Sequence, residues 1–464
     1  MQLFHTPPVA SAVFDDQNLV SFAGLVPLMA LARRAGLARL ADTWLSVPTD
    51  KGANAGLKVC SLVAGMAAGA DSIDDIDVLR TGGMGKVLTS TYAPSTLGSF
   101  LRAFTSGHVR QLDAVASRFL TSLASDTALL GAPAAQSMVM VDLDDTIVEV
   151  HGHQKQGAAF GYSGIRGINA ILATVSTDTV APVVVAQRLR RGNCGSPRGV
   201  TRLVCDALAT TRRTHLAGRD VLVRADSAFY CRALIGAARK AGAQVSVTVR
   251  MNPVVKRAIA AISADAWMTI KYPHGIYDEE ARVWISEAQV AEIPFTAFSS
   301  RKAAEQVPGR LVVRRIPDVN TRANTGQATL FETWRFHAFF TTTDLDTVIA
   351  DQTHRRHAII ENVHADLKGS AVAHLPSGVF TANAAWLVCA VMAFNLTRAA
   401  ATITGTTLAK ATTATIRRKL IQIPARIATS ARRVHLHLPA GWIWADAWTE
   451  LFQHACGPPV VATT

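Results

Sequence analysis

From Asn18 to Asp126 apolar residues recur every three or four positions, through Leu19–Ala35, Leu57–Ala68 and Val109–Leu123. That spacing predicts a run of helices. Thr81-Gly82-Gly83-Met84-Gly85 breaks the run as a turn. Pro94 and Ser95 reopen it, with Ser95 as the expected N-cap of a helix through Phe100, Leu101 and Phe104. A helical pair with Thr96, Ser99 and Arg102 turned outward fits a DNA-reading unit, and equally an ordinary helical hairpin. Gly82–Lys86 is no phosphate loop, because Arg80 stands where Gly is needed and Val87 where Ser or Thr is needed.

Past residue 136 the period changes. Met138–Asp144 is a strand that is apolar on both faces until its acids begin. Ile168–Val175 and Val180–Leu189 are two more, joined by a turn at Ser176-Thr177-Asp178. Then follow a helix over Val200–Arg213, a strand over Asp220–Ala225, a helix over Phe229–Ala241 closed by Gly242, and a strand over Val245–Val249. The order βββαβαβ matches an RNase H-like arrangement in an α/β protein. Residues 255–345 interrupt it with short alternating segments, Ala281–Ile285, Arg310–Arg315 and Trp334–Thr341, around a polar loop at Asn320–Gln327. Residues 351–400 return to helix, and 408–433 form a basic segment that includes Lys410, Arg417, Arg418, Lys419, Arg426, Arg432 and Arg433. The expected organisation is a helical DNA-binding domain (1–130), the first part of an RNase H-like core (131–254), a β-rich insertion (255–345), the rest of the core (346–400) and a basic C-terminal region (401–464).

Composition narrows the class. Of the 464 residues 49% are hydrophobic, enough for a substantial core. The longest unbroken apolar run, Ala384–Phe394, is far short of the roughly 20 residues a membrane helix needs, so no membrane association is expected. Met1–Pro8 lacks the basic start and apolar stretch of a secretory leader. The six cysteines form no CxxC pair, so neither a disulfide framework nor a zinc site is expected and the cytoplasm is the expected compartment. The net charge is +13, and its excess is local: residues 131–250 carry 15 basic and 8 acidic side chains, and residues 351–464 carry 11 and 5. Such concentration points to a polyanionic partner.

Phosphodiester chemistry requires an activated oxygen nucleophile and neutralisation of transition-state charge. Two Mg²⁺ ions, for which Mn²⁺ can substitute, supply both from converging carboxylates. Three groups qualify. In Val141-Asp142-Leu143-Asp144-Asp145-Thr146, Asp142 and Asp144 share one strand face and Asp145 points to the other. In Val221-Leu222-Val223-Arg224-Ala225-Asp226, Asp226 ends a buried strand, where open α/β sheets bind ligands; capping the next helix is its plainer role. From His354 to Lys368, helical projection sets Ile360, Val363 and Leu367 on a core stripe, with Glu361, His354, His357, His364 and Lys368 opposite. The plainer alternative there is a solvated helix face. In an RNase H-like sheet the three acids converge.

These pieces together resemble bacterial insertion-sequence DDE transposases with a β-rich insertion before the catalytic glutamate. The nearest resemblance is to insertion-sequence family thirteen-eighty, from about Leu19 to the C-terminus. The matching motifs are Asp142-Leu143-Asp144-Asp145-Thr146, Gly157–Gly167 with Gly161-Tyr162, Leu189-Arg190-Arg191-Gly192-Asn193, Arg224-Ala225-Asp226-Ser227-Ala228-Phe229 and Ile360-Glu361-Asn362. The resemblance implies a catalytic, metal-binding triad of Asp144, Asp226 and Glu361. Related enzymes carry Tyr-x2-Arg-x3-Glu-x6-Lys on the last helix. Here Glu361 and Lys368 match, but His354 stands for Tyr and His357 for Arg. With Arg356 these side chains are the expected phosphate contacts, Arg102, Arg417 and Arg418 the expected outer DNA contacts. Trp334 is a candidate for stacking on a distorted terminal base, with a core role as its alternative. The implied activity is cut-and-paste transposition on double-stranded DNA by a homodimer bound to terminal inverted repeats, in a bacterial cytoplasm at the nucleoid. The rivals are an RNase H-like nuclease that never joins strands and a DNA-binding relic without activity.

Overall fold

The computed structural model describes residues 11–48, 50–131, 138–177, 180–278, 283–317, 334–405, 407–430 and 433–457. Asp178, the Asn320–Gln327 loop, Arg432 and the first residues of Ala281–Ile285 lie outside the described residues. The chain opens with β1 (Leu19–Val20), α1 (Leu25–Arg34), α2 (Leu37–Trp44), α3 (Ala55–Ala68), α4 (Met84–Val87), α5 (Pro94–Arg102) and α6 (Ser106–Asp126). Two expectations change here. Leu19 and Val20 do not begin a helix, because they pair with Arg426 and Ala425 of a later strand. Ser95 is not the cap of α5. Pro94 takes the first helical position, where its missing N–H costs nothing, and the extended Ala93 precedes it.

The central elements are β2 (Val139–Glu149), β3 (Ala159–Phe160), β4 (Arg166–Ser176), β5 (Val183–Arg191), α7 (Val200–Arg212), β6 (Val221–Ala225), α8 (Arg232–Lys240) and β7 (Gln244–Thr248). β2 does not stop at its acids as expected. It continues to Glu149 because β4 pairs with it from Met140↔Ser176 to Glu149↔Gly167. Next come α9 (Pro253–Ala260), β8 (Met268–Asp278), β9 (Val283–Ala297), β10 (Val307–Pro317) and β11 (Trp334–Thr341). All these strands form one sheet in the order β3-β4-β2-β6-β7-β11-β10-β9-β8, with β5 also paired to β4. β2, β6 and β7 run parallel, whereas β4 is antiparallel to β2 and β11 to β7. Strands β8 to β11 therefore lengthen the same sheet.

The chain ends with α10 (Thr347–Arg355), α11 (Ile359–Lys368), α12 (Phe380–Ile403), α13 (Thr413–Ile416), β12 (Ala425–Ser430), β13 (Arg433–His437) and α14 (Ala445–Cys456). Among the described residues α12 alone is long and apolar enough to cross a membrane, yet 89% of its most apolar stretch is buried inside the protein. It packs against α3, α6 and β5. One of its buried polar contacts reaches the sheet: Asn395 accepts from Val184 N at 3.0 Å and donates to Val184 O at 2.8 Å. A bulge in the β4–β5 register at this point leaves those backbone groups in need of partners. One continuous apolar cluster then runs from Val20 to Ala455.

Candidate active site

β6 reads Val-Leu-Val-Arg-Ala and is buried at all five positions. A charge in such a strand requires a partner of opposite sign. Arg224 finds it in Asp142, one strand away: Nε reaches Oδ1 at 2.6 Å and Nη2 reaches Oδ2 at 2.7 Å. The side chains are 1% and 0% exposed. Nη1 of Arg224 donates to Thr353 O, and Nδ1 of His357 lies 3.1 Å from Asp142 Oδ1. Asp142 is thus spent on structure. It locks β2 and β6 to the end of α10. Asp145 leaves on the opposite face, as strand alternation demands, and pairs with Arg190.

One step along, Leu143 pairs with Ala225, the last residue of β6, so Asp144 on β2 comes level with Asp226, which follows β6 with extended backbone. Each lies two residues past a member of the Asp142–Arg224 pair and therefore faces the same side. Burial lifts the Asp144 carboxyl to about 7; Asp226 and Asp145 add to the rise, while the Asp145 N–H at 2.8 Å and His357 oppose it. Burial raises Asp226 as well, although it accepts from Ala228 N at 3.1 Å and caps the turn Ser227–Phe229. The capping role of Asp226 is thus met at the 3₁₀ turn Ser227–Phe229. Paired, desolvated, hard-oxygen donors of this kind suit a divalent cation.

The third segment departs from the projection. A 3₁₀ turn at Arg356–Ala358 separates α10 from α11 and resets the helical phase. His354 does not sit beside Glu361. It stacks on Phe339 at 4.0 Å and meets Ser246 Oγ at 2.8 Å and Thr248 Oγ1 at 2.9 Å. Burial first, then neighbouring cations, hold it down to about 3, so it is neutral. Both ring nitrogens are taken, which removes it from the phosphate contacts. His357 is turned inward to Asp142. His364 is buried with Ile360, Val363 and Leu367 rather than facing solvent, with Nε2 3.5 Å from Asp144 Oδ2. Glu361 is exposed on the first turn of α11. Among the described residues no group of three or more His, Cys, Asp or Glu side chains is gathered as a metal cluster. The carboxylates brought level are thus Asp144 and Asp226.

Lys368 is exposed and reaches Thr146 Oγ1 at 3.5 Å, beside the acids. Arg356, Arg102 and Arg418 are exposed. Arg417 instead runs inward, its Nε donating to Ala67 O at 3.1 Å. Trp334 presents a ring to Arg315, whose guanidinium lies 4.4 Å from it and 4.1 Å from Trp267. That face of the indole is already used. A cavity of about 300 Å³ between α6, α7 and β5 lies away from the acids, and its Arg188 is tied to Asp113 and Asp206. The residue missed by sequence reasoning is Arg224. Its signal was visible: one charge inside a five-residue apolar strand.

No curated protein matches this sequence significantly. A cryo-electron-microscopy structure of a piggyBac transposase synaptic complex with hairpin DNA is similar at 10% identity, covering 94% of this chain and 83% of that one, with a TM-score of 0.40. The profile of the family described as transposase DDE domain group 1 matches residues 5–455, nearly the whole chain, and the protein belongs to that family of DDE transposases.

Proposed function

We propose that this transposase performs metal-dependent cleavage and strand transfer at the terminal inverted repeats of an insertion sequence, through an RNase H-like core. The observation that carries the reading is the placement of Asp144 on β2 beside Asp226, which follows directly on the last residue of parallel β6, both carboxyls desolvated and both raised. The order β5-β4-β2-β6-β7, with three mutually antiparallel strands followed by two parallel ones, supports the core assignment. Asp144 and Asp226 would hold the shared cation, and Glu361 would complete the second site. His357, bonded to Asp142, anchors the chain four residues before Glu361 next to the acids. Bound Mg²⁺ supplies activation of the attacking oxygen and neutralisation of charge on the phosphorus centre. Asp142 and Arg224 keep the carboxylates in register. Lys368 and Arg356 contact phosphates, with Arg102 and Arg418 further out. Hydrolysis frees a 3′-hydroxyl, which then displaces a 3′-oxygen in target DNA. Two ends are synapsed by a homodimer.

The test incubates the protein with a duplex ending in the element's inverted repeat, with Mg²⁺ or with chelator, beside Glu361→Gln and Asp226→Asn. Metal-dependent cutting at the repeat boundary, lost in both variants, is expected, followed by joined product on added target DNA. Tight salt-sensitive binding without cutting in either Mg²⁺ or Mn²⁺ would overturn the proposal.

A further inference from the structure

His364 is the side chain whose placement the triad leaves unexplained. Its ring is 7% exposed, on the inner face of α11, and Nε2 is a buried polar atom without a hydrogen-bond partner. Leaving a buried nitrogen without a partner is costly, and its place beside the acids asks for a ligand. The nearest ionisable oxygen is Oδ2 of Asp144 at 3.5 Å, too long and too poorly directed for a hydrogen bond. The spacing has another meaning. Two donors each ~2.1 Å from one cation lie roughly 3.0–3.5 Å apart, depending on the coordination angle.

Imidazole ligates a cation through a ring lone pair, which the unpartnered Nε2 of His364 can offer. The groups facing it from neighbouring elements are Asp144 and Asp145 of β2, His357 before α11, and Lys368 one turn on. Arg190 already neutralises Asp145, and Asp142 already engages His357. Of the two carboxylates, Asp145 is paired with an arginine and Asp144 is not paired with a lysine or arginine among the described residues.

We propose that His364 Nε2 is a direct ligand, beside Asp144, of the divalent cation at this site. The cation then has a mixed oxygen and nitrogen shell, which favours Mn²⁺ over Mg²⁺, because imidazole suits the softer ion. This rests on the reading of Asp144 as a metal carboxylate, and the test separates the two.

The full-length protein is loaded with Mn²⁺ and studied by pulsed electron paramagnetic resonance, which resolves nitrogen hyperfine coupling from a bound imidazole. The coupling is expected in the wild type, absent in His364→Gln and retained in His357→Gln. Wild-type protein grown with ¹⁵N-histidine replaces the ¹⁴N pattern with a ¹⁵N doublet, a result that depends on no variant folding. Calorimetry is expected to show the Mn²⁺ Kd rising by about tenfold or more in His364→Gln and the Mg²⁺ Kd by less than about threefold. Mn²⁺ binding that is lost in Asp144→Asn but shows no nitrogen coupling in the wild type overturns the His364 proposal and leaves the carboxylate reading intact. Mn²⁺ binding indifferent to Asp144→Asn overturns the carboxylate reading, and this proposal falls with it.

Discussion

Arg224 carries a full charge at 1% exposure against a carboxylate, Asp142, at 0%. Such a pair is poorly repaid for its desolvation, but breaking it leaves an isolated charge in the interior. Arg224→Met is therefore expected to cost about 3–5 kcal/mol in urea-induced unfolding, because Asp142 is orphaned. The double variant with Asp142→Leu should recover most of that loss; failure to recover would mean that the pair is not the reason for the cost. Asp144 behaves in the opposite sense. Its folded carboxyl, at about 7, lies above the ordinary 3.8, so the native state holds the proton more tightly. Stability from this group is present at low pH and is lost as pH rises from about 4 to about 7. In chelator, Asp144→Asn should match the wild type near pH 4 and exceed it at pH 8, by at most about 4 kcal/mol. Equal stability at pH 8 would show that the carboxylate is not desolvated.

At the scale of elements, the register of β2 against β6 decides which acids meet. Side chains alternate, so a slip of one residue would bring Asp145 to the cation face and send Asp144 to Arg190. Pairing along the whole of β4 prevents that slip. α12 guards the other side of β4 through β5, where the Asn395 amide closes both backbone groups of Val184. Asn395→Leu keeps the apolar surface but strands those groups, and should cost about 1–3 kcal/mol. Amide exchange at Val184 is the local reading, and unchanged protection there would refute the account. The 3₁₀ turn at Arg356–Ala358 has a comparable effect on the last segment. It rotates His354 onto Phe339 and so removes from the site a side chain that an unbroken helix would have presented to it.

Across the whole molecule, the two ends of the chain depend on each other. β1 pairs with β12, α1 packs on α14, and the Asp366–Arg398 ion pair at 3.3 Å joins the glutamate-bearing helix to the core helix. Thr413 N adds a 2.8 Å bond to the same aspartate. With one apolar cluster from Val20 to Ala455, the N-terminal helices have no separate core to fall back on. Truncation after Gly405 should therefore lower the melting temperature of the N-terminal helices together with that of the sheet. Fluorescence of Trp44 and far-ultraviolet dichroism should report one coincident transition in the full chain. An independent N-terminal transition that survives truncation would contradict this.

Local order in this protein was legible in the chain. The helical period of 55–68, the strand period around Asp142–Asp145 and the apolar run before Asp226 each follow from side-chain spacing, because a helix or a strand must bury one face whatever it packs against. The acids at 142, 144 and 226 were conspicuous for the same reason: charge is expensive inside an apolar strand. Which acid binds a cation and which one an arginine was not legible, since Asp142 and Asp144 share a face and differ only in what lies opposite. Tertiary structure decided that by setting Arg224 level with Asp142 and leaving Asp144 level with Asp226. It also turned His354 and His357 away from the solvent face on which regular helical spacing had put them, because the phase of one helix relative to another across a 3₁₀ turn is set by the packing of both and not by the period of either; His364 borders the apolar stripe of its own helix and is covered where that helix packs on β2.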